Sequence, residues 1–471
     1  MKGLSKKLVC LFASLTFGTA AADNQTPDTT PISTQGSLPF TVLIQQTNFQ
    51  LPHGLQAYAY GVYQGQWIFI AGRNDGLHSF NVDPFPPQFQ NRSIYVVNPT
   101  TRVVKTRSLT DAGSGLNQLQ IDSLSVTFPE FYQDGDTLYL AGGYGIDTGS
   151  DTYGTKPTLT AINLPGIVQW VMQPGNKSNT VAKNIRQVNN PIFQIEGGRM
   201  FKLGNVSQLI FGETFTGRYS AGGSGIYSFQ ARRFQITNVG GKLGFSILPS
   251  MPSQPQPGYR RRDLNIVPAL LNQNNKLEYG FIGYGGVFTL TNGVWTVPVV
   301  FGATGDPVMA NPDAAGTFKQ GMSQYACATA NFYSTKSTSM YSVFFGGISY
   351  GFFNNGVFET DPEIPFTNEV TTVKMDKSGN FSQYLMDNQY PVIPSTGVNA
   401  GNQLLFGSAG FFIPASIQMY PNSVINLDNI RQPTVIGYIV GGIASTVPNT
   451  QIDPDTAASD YVFQVTLMPR N

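Results

Sequence analysis

The chain is poor in the residues that most often carry chemistry. Two histidines, His53 and His78, and two cysteines, Cys10 and Cys327, stand among 471 residues. That supply does not suit a transition-metal site built from nitrogen and sulfur ligands, and no cofactor is expected. What remains is carboxylate, guanidinium and phenol. Three groupings matter: the run Arg260-Arg261-Arg262, the segment Gly212-Glu-Thr-Phe-Thr-Gly-Arg218, and the residues Arg73, Glu213 and Tyr284, each directly after a glycine. Arginine grips a carboxylate through two parallel hydrogen bonds. Tyrosines such as Tyr144, Tyr219 and Tyr284 can stack on the apolar faces of sugars. A positioned carboxyl can move protons. The same arginines and tyrosines also suit a protein interface, and ion pairs between loops use them with no ligand at all. The acidic turns Asp147-Thr-Gly-Ser-Asp151 and Asp453-Pro-Asp455 lack the spacing of a calcium loop and read as solvated turns. Gly222-Gly-Ser-Gly225 has no strand before it and no helix after it, so no phosphate cradle is implied.

These residues sit on a repeat. An apolar strand ending in glycine recurs: Trp67-Ile-Phe-Ile-Ala-Gly72, Leu138-Tyr-Leu-Ala-Gly-Gly143, Leu209-Ile-Phe-Gly212, Tyr279-Gly-Phe-Ile-Gly283, Val343-Phe-Phe-Gly-Gly347 and Gly437-Tyr-Ile-Val-Gly-Gly442. A period of about 70 residues is a unit of several strands, longer than a solenoid repeat. With 51 Gly, 31 Pro, 22 Tyr and 33 Phe, the composition favours short strands and turns. An earlier strand precedes each glycine strand, as at Arg262–Leu270 and Gln324–Asn331. A third follows a variable loop: 93–97, 158–162, 226–229, 287–290, 370–373 and 461–465. A fourth is expected at 103–106, 168–171, 245–248, 295–297 and 381–384. The last unit lacks one, and Phe40-Thr-Val-Leu-Ile44 is left to complete it. The expectation is an all-β chain: a six-bladed β-propeller closed by an N-terminal strand in the last blade. Residues 346–366 read as an aromatic covering loop, and 407–433 as a hairpin or flap.

At this point the chain resembles kelch-repeat propellers, whose blades carry a Gly-Gly doublet at the end of the second strand. In three units the second glycine is replaced, by Arg73, Glu213 and Tyr284. Loops after the second strand share a face with the loops between blades. Arg73, Tyr144, Glu213, Arg218, Arg260, Arg261, Arg262 and Tyr284 are therefore expected at one polar mouth. Gly212-Glu-Thr-Phe-Thr-Gly-Arg218 further resembles a segment of the sialic acid mutarotases. That likeness implies Glu213 as acid/base and Arg218 as the holder of a ligand carboxylate. Too few histidines are present for a galactose-oxidase-like copper centre, and the Ser-x-Asp-x-Gly-x-Thr-Trp hairpin of sialidases is missing.

The start of the chain predicts export. Lys2, Lys6 and Lys7 precede a short apolar stretch, and Ala20-Ala21-Ala22 offers a cleavage site, so 1–22 reads as a signal peptide. Residues 23–39 read as a flexible lead-in, and 40–471 as the propeller. Without the leader, 25 basic residues face 27 acidic ones, which argues against nucleic acid as a partner. No later run is long and apolar enough for a membrane span. A single remaining cysteine, Cys327, forms no internal disulfide and reads as a buried small hydrophobe. The expected role is a secreted or periplasmic binding module for a small anionic sugar or a protein partner, with a carbohydrate-directed enzyme as the alternative.

Overall fold

The computed structural model describes residues 29–34, 36, 38–79, 83–219, 225–273, 276–291 and 293–470. The expected signal peptide with Cys10, the glycines and serine at 222–224 and the turn residue Asn292 lie outside them. The chain is all-β, with helix confined to short segments. Among the described residues no helix is long and apolar enough to cross a membrane.

Six antiparallel sheets follow one another along the chain. Sheet one holds Ala59–Tyr63, Gln66–Ile70, Ser93–Asn98 and Val103–Ser108. Sheet two holds Glu130–Asp134, Thr137–Ala141, Thr158–Asn163 and Ile185–Asn189. Sheet three holds Arg199–Leu203, Val206–Ile210, Ala231–Val239 and Lys242–Met251. Sheet four holds Asn265–Gln273, Lys276–Tyr284, Val299–Phe301 and Pro307–Met309. Sheet five holds Ala328–Ser334, Ser339–Ile348, Phe366–Met375 and Phe381–Leu385. Sheet six holds Phe411–Pro414, Thr434–Val440 and Tyr461–Pro469, and its fourth strand is the N-terminal Phe40–Gln50, paired from Phe40 with Pro469 to Gln50 with Tyr461.

Apolar clusters fill the spaces between consecutive sheets, and one joins the last to the first: Tyr58, Phe69 and Tyr95 pack with Ile413, Val440 and Val462. Each large side chain so buried contributes about 1.5–3 kcal/mol. The first strands of all six sheets face one common cavity of about 650 Å³, reached by Tyr60, Phe131, Phe201, Ile266, Thr329 and Phe411 among others.

A backbone feature repeats six times. Ala57, Phe128, Gly197, Asp263, Ala326 and Ala409 each stand two residues before the first strand of their sheet, and all have left-handed φ, between 47° and 68°. Four hydrogen bonds link them from sheet to sheet. Phe128 N–H donates to the Ala57 carbonyl at 3.0 Å, Ala57 N–H to Ala409 at 2.9 Å, Ala409 N–H to Ala326 at 2.6 Å and Asp263 N–H to Gly197 at 2.7 Å. At the other end of each second strand lies a second left-handed pair: Ala71-Gly72, Gly142-Gly143, Phe211-Gly212, Gly285-Gly286, Gly346-Gly347 and Gly441-Gly442. A Cβ on Gly142, Gly346 or Gly441 would run into a backbone carbonyl of the next sheet, at Ile195, Phe406 and Leu55.

This corrects the repeat read from sequence. In sheet four the doublet is intact at Gly285-Gly286, two residues beyond Gly283, and in sheets one and three it is the first position that changes, to Ala71 and Phe211. Several strands also move. Residues 168–171 are not a strand but part of the helix Leu164–Met172, capped by the Asn163 side chain on Gly166 N–H. Its apolar residues Leu164, Ile167, Val168 and Val171 recur at helical spacing and pack on sheets one and two. The third strand of sheet three is Ala231–Val239, while Ile226–Tyr227 instead pairs with Glu213–Thr214. In sheet four the outer strands are Val299–Phe301 and Pro307–Met309, beyond the predicted 287–290 and 295–297. The expected flap at 407–433 supplies the first strand of sheet six, Phe411–Pro414. Of the lead-in, Ser33–Thr34 pairs in parallel with Tyr384–Leu385 at the edge of sheet five.

Replacing Gly142 by Ala adds both a left-handed Cβ and a clash with rigid backbone, and is expected to destabilise the chain by roughly 2–4 kcal/mol. Gly356, also left-handed but facing open space, should lose only about 1 kcal/mol as Ala. Denaturant midpoints of the two variants check the contrast.

Candidate functional site

The residue before each left-handed position bridges to the residue after each glycine pair. The bridges are Gln56 with Arg73, Thr127 with Tyr144, Glu196 with Glu213, Arg262 with Val287, Tyr325 with Ile348 and, in sheet six, Ser408 with Ile443. Phe128, Gly197, Asp263, Ala326 and Ala409, each next to one of these bridges, line the cavity. The bridges therefore surround one mouth of it, and their side chains set its character.

Charge in this ring falls on Arg73, Glu196, Glu213 and Arg262. The last three belong to one cluster with Asp263. Arg262 pairs with Glu213, lies 3.8 Å from a Glu196 oxygen and holds Nε 3.5 Å from Asp263. Tyr219 stands over it, its hydroxyl accepting from the guanidinium at 3.4 Å. Exposure distinguishes the carboxylates: the Glu213 side chain is 0% exposed and that of Asp263 24%. Only Asp263 lines the cavity.

Burial pushes the Asp263 carboxyl up to about 6, against the pull of Arg262 and with the Glu213 charge adding to the rise. Glu196 is likewise raised by burial, opposed by Arg262 and reinforced by Glu213. Burial pushes Arg262 down, but Asp263, Glu213 and Glu196 outweigh it, so the guanidinium stays firmly charged. Asp263 and Glu196 therefore hold a proton more tightly than free carboxyls do. The reachable one, Asp263, accepts hydrogen bonds above about pH 6 and can donate one below it. His78, its ring 5.3 Å from that of Tyr219, is held below its ordinary range by burial.

The expected mouth residues divide. Glu213, Arg262, Arg218 and Tyr144 share one region of the face. Arg218 is about half exposed, 3.1 Å from Asp83 and 3.7 Å from Asp151, with its guanidinium 4.4 Å from the centre of the Tyr153 ring. Tyr144 is buried and fastens the loop below Arg218: its hydroxyl donates to the Gly217 carbonyl at 3.0 Å and accepts from Tyr219 N–H at 2.8 Å. Arg260 donates to the Phe288 and Thr289 carbonyls at 2.6 and 3.0 Å, and lies over Tyr227 at 4.1 Å.

Four expectations are corrected. Tyr284 does not reach the mouth, because it ends a strand inside the core of sheets four and five, against Phe344 and Phe381. Arg261 points inward, not to a ligand. Its guanidinium donates to the Gly258, Gly285 and Val297 carbonyls, and burial pushes it down to about 9. Arg73 is spent on Asp75, Nε to Oδ1 at 2.7 Å, beneath Phe85. Glu213, expected as the working carboxyl, is sealed and already paired. Asp263 and Glu196 were missed because neither follows a glycine strand. Their signal is the position before each first strand, visible only once the repeat is aligned there. Cys327 is buried, and burial pushes its thiol up to about 12.

The class defined by this geometry is an all-β chain of successive four-stranded sheets with a polar mouth over a common cavity. No protein-family profile and no curated protein matches the chain. Among solved structures it is similar to one titled "Structure of YjhT", at 10% identity over 89% of this chain and 98% of that one, with a TM-score of 0.45. At that score the likeness adds nothing to the argument from the sheets themselves.

Two outcomes follow from the cluster. Arg262→Met strands a buried Glu213 charge and should cost roughly 3–5 kcal/mol, much of it recovered by adding Glu213→Gln. For Asp263, a folded pKa of about 6 lies above the unfolded value near 3.9. The folded chain therefore binds more protons across that window, and this carboxyl's contribution is full below it and lost as pH rises through about 6. The unfolding free energy of wild type minus that of Asp263→Asn should fall between about pH 4 and 6. A flat difference would contradict the assignment.

Proposed function

We propose that residues 40–471 form a six-bladed kelch-type β-propeller, its ring completed by Phe40–Gln50 in the last blade. A signal peptide over 1–22 and a lead-in over 23–39 precede it. The exported chain acts as a binding module, taking a small anionic sugar or a partner surface with the same carboxylate chemistry through the polar mouth. The observation that carries this reading is the Arg262 cluster, with Asp263 open to the cavity and Arg218 partly exposed on the loop that Tyr144 fastens. Arg218 offers a guanidinium to a carboxylate. Asp263 offers a carboxyl to sugar hydroxyls.

A second reading is favoured by one feature. A carboxyl held at about 6 beside the cavity is suited to proton transfer near neutrality, as a carbohydrate-directed enzyme of the sialic acid mutarotase type needs. In that reading the acid/base is Asp263, since Glu213 is occluded, and Arg218 keeps the ligand carboxylate.

Thermal unfolding against a panel of sugars and sugar acids tests the module. A ligand at a hundred times its dissociation constant should add about 2.7 kcal/mol, a rise of a few degrees for a chain this size. Arg218→Ala should remove the shift. If every sugar acid leaves the midpoint unmoved, the small-ligand mouth is wrong. For the enzyme reading, anomer exchange of sialic acid followed by NMR should accelerate with wild type and not with Asp263→Asn.

A further inference from the structure

Below the mouth, the cavity is lined by a guanidinium that forms no ion pair among the described residues. Three sets of charged side chains lie at the cavity. Asp263, with Arg262 beside it, lies at the mouth, and Lys202, paired with Asp134, lies further along the strands. Arg199, the first residue of sheet three's first strand, stands between them in strand order. Its guanidinium sits over the corner made by two rings, 4.5 Å from Phe131 and 5.0 Å from Phe411, which meet edge to face at 5.3 Å. Among the described residues the Arg199 guanidinium makes no hydrogen bond and no ion pair. The nearby carboxyl, Glu130, is buried beneath the cavity wall and accepts Gly198 N–H at 2.7 Å. Burial, against the pull of Arg199, pushes it up to about 8, so it is mostly uncharged at neutral pH.

A guanidinium carries a planar fork of donors matched to a carboxylate. Arg199 is half-buried and lines the cavity, where two aromatic faces hold the guanidinium and leave its donors open to a carboxylate. Tyr60, Phe201 and Phe412 line the same cavity with Phe131 and Phe411, together with the polar Asn265, Thr329 and Asn331. At about 650 Å³ the space falls in the range of small-molecule pockets.

We propose that this cavity is a binding site for a small molecule carrying one carboxylate on a planar, aromatic or otherwise apolar body. The carboxylate takes the Arg199 fork and the body lies against Phe131 and Phe411. The site shares its cavity with Asp263 of the mouth reading, but the carboxylate is held by Arg199 on a strand and not by Arg218 on the mouth loop.

Benzoate is the probe and benzamide its uncharged counterpart, titrated calorimetrically into the full chain at neutral pH. Wild type should bind benzoate in the millimolar range and benzamide about tenfold more weakly or not at all. Arg199→Met should lose about tenfold or more of benzoate affinity, and Arg218→Ala, at the mouth, should lose none. Arg199→Lys keeps the charge but not the fork, and should also weaken binding about tenfold. If Arg199→Met does not fold, the Lys variant and the benzamide comparison decide. The proposal fails if wild type ignores benzoate, if benzamide binds equally, or if a folded Arg199 variant binds as wild type does.

Discussion

A strand that must begin at a crowded centre and run outward has to turn sharply just before it starts. Here that turn is made by a single left-handed residue, repeated at Ala57, Phe128, Gly197, Asp263, Ala326 and Ala409. Four of the six are Ala or Phe, residues that adopt such a backbone only at a cost of order 1 kcal/mol each. The cost is offset by backbone hydrogen bonds that pass from one sheet to another, including the one from Ala57 to Ala409 that ties the first sheet to the sixth. The glycine pairs answer the same crowding from the other side, since a side chain there would strike the next sheet's carbonyls. Everything at the mouth is hung on these two turns.

Because the turns are fixed, the positions beside them become slots whose occupants need not be structural. Most hold residues that pack or pair locally. Sheets three and four differ, since Glu196, Glu213, Arg262 and Asp263 converge there. The result is a division of labour among carboxyls. Glu213 holds Arg262 in place and is sealed, while Asp263, the residue after Arg262, keeps a face on the cavity. Burying several carboxyls around one guanidinium raises their affinity for protons, which is why the open member titrates near neutrality.

Much of the architecture was legible. The recurrence of an apolar strand ending in glycine located every second strand, and the leftover Phe40–Ile44 was correctly paired with the last sheet. The third and fourth strands were less legible where loops are long. In sheet two a helix stands where a strand was expected, because Val168, Trp170 and Val171 satisfy either period over so short a window. In sheet four the glycines of Gly280 and Gly283 masked the true pair at Gly285-Gly286, and with that shift Tyr284 moved from a loop into the core.

Sequence alone determined the class of chemistry on offer. With two histidines and two cysteines, charge and hydrogen bonding rest on Arg, Asp, Glu and Tyr, and the segment 212–218 and the run 260–262 were visible as candidate clusters. Which of those groups is spent and which is available was settled only by tertiary structure. Three adjacent arginines look alike in the chain, yet Arg260 binds loop carbonyls, Arg261 is buried among carbonyls and Arg262 holds the carboxylates. Arg199 drew no notice in sequence, because what distinguishes it is a guanidinium without an acceptor among the described residues, and that depends on which strands from distant sheets surround it. The availability of a charge depends on the groups within a few ångströms of it, and in this fold those groups come from residues scores of positions apart.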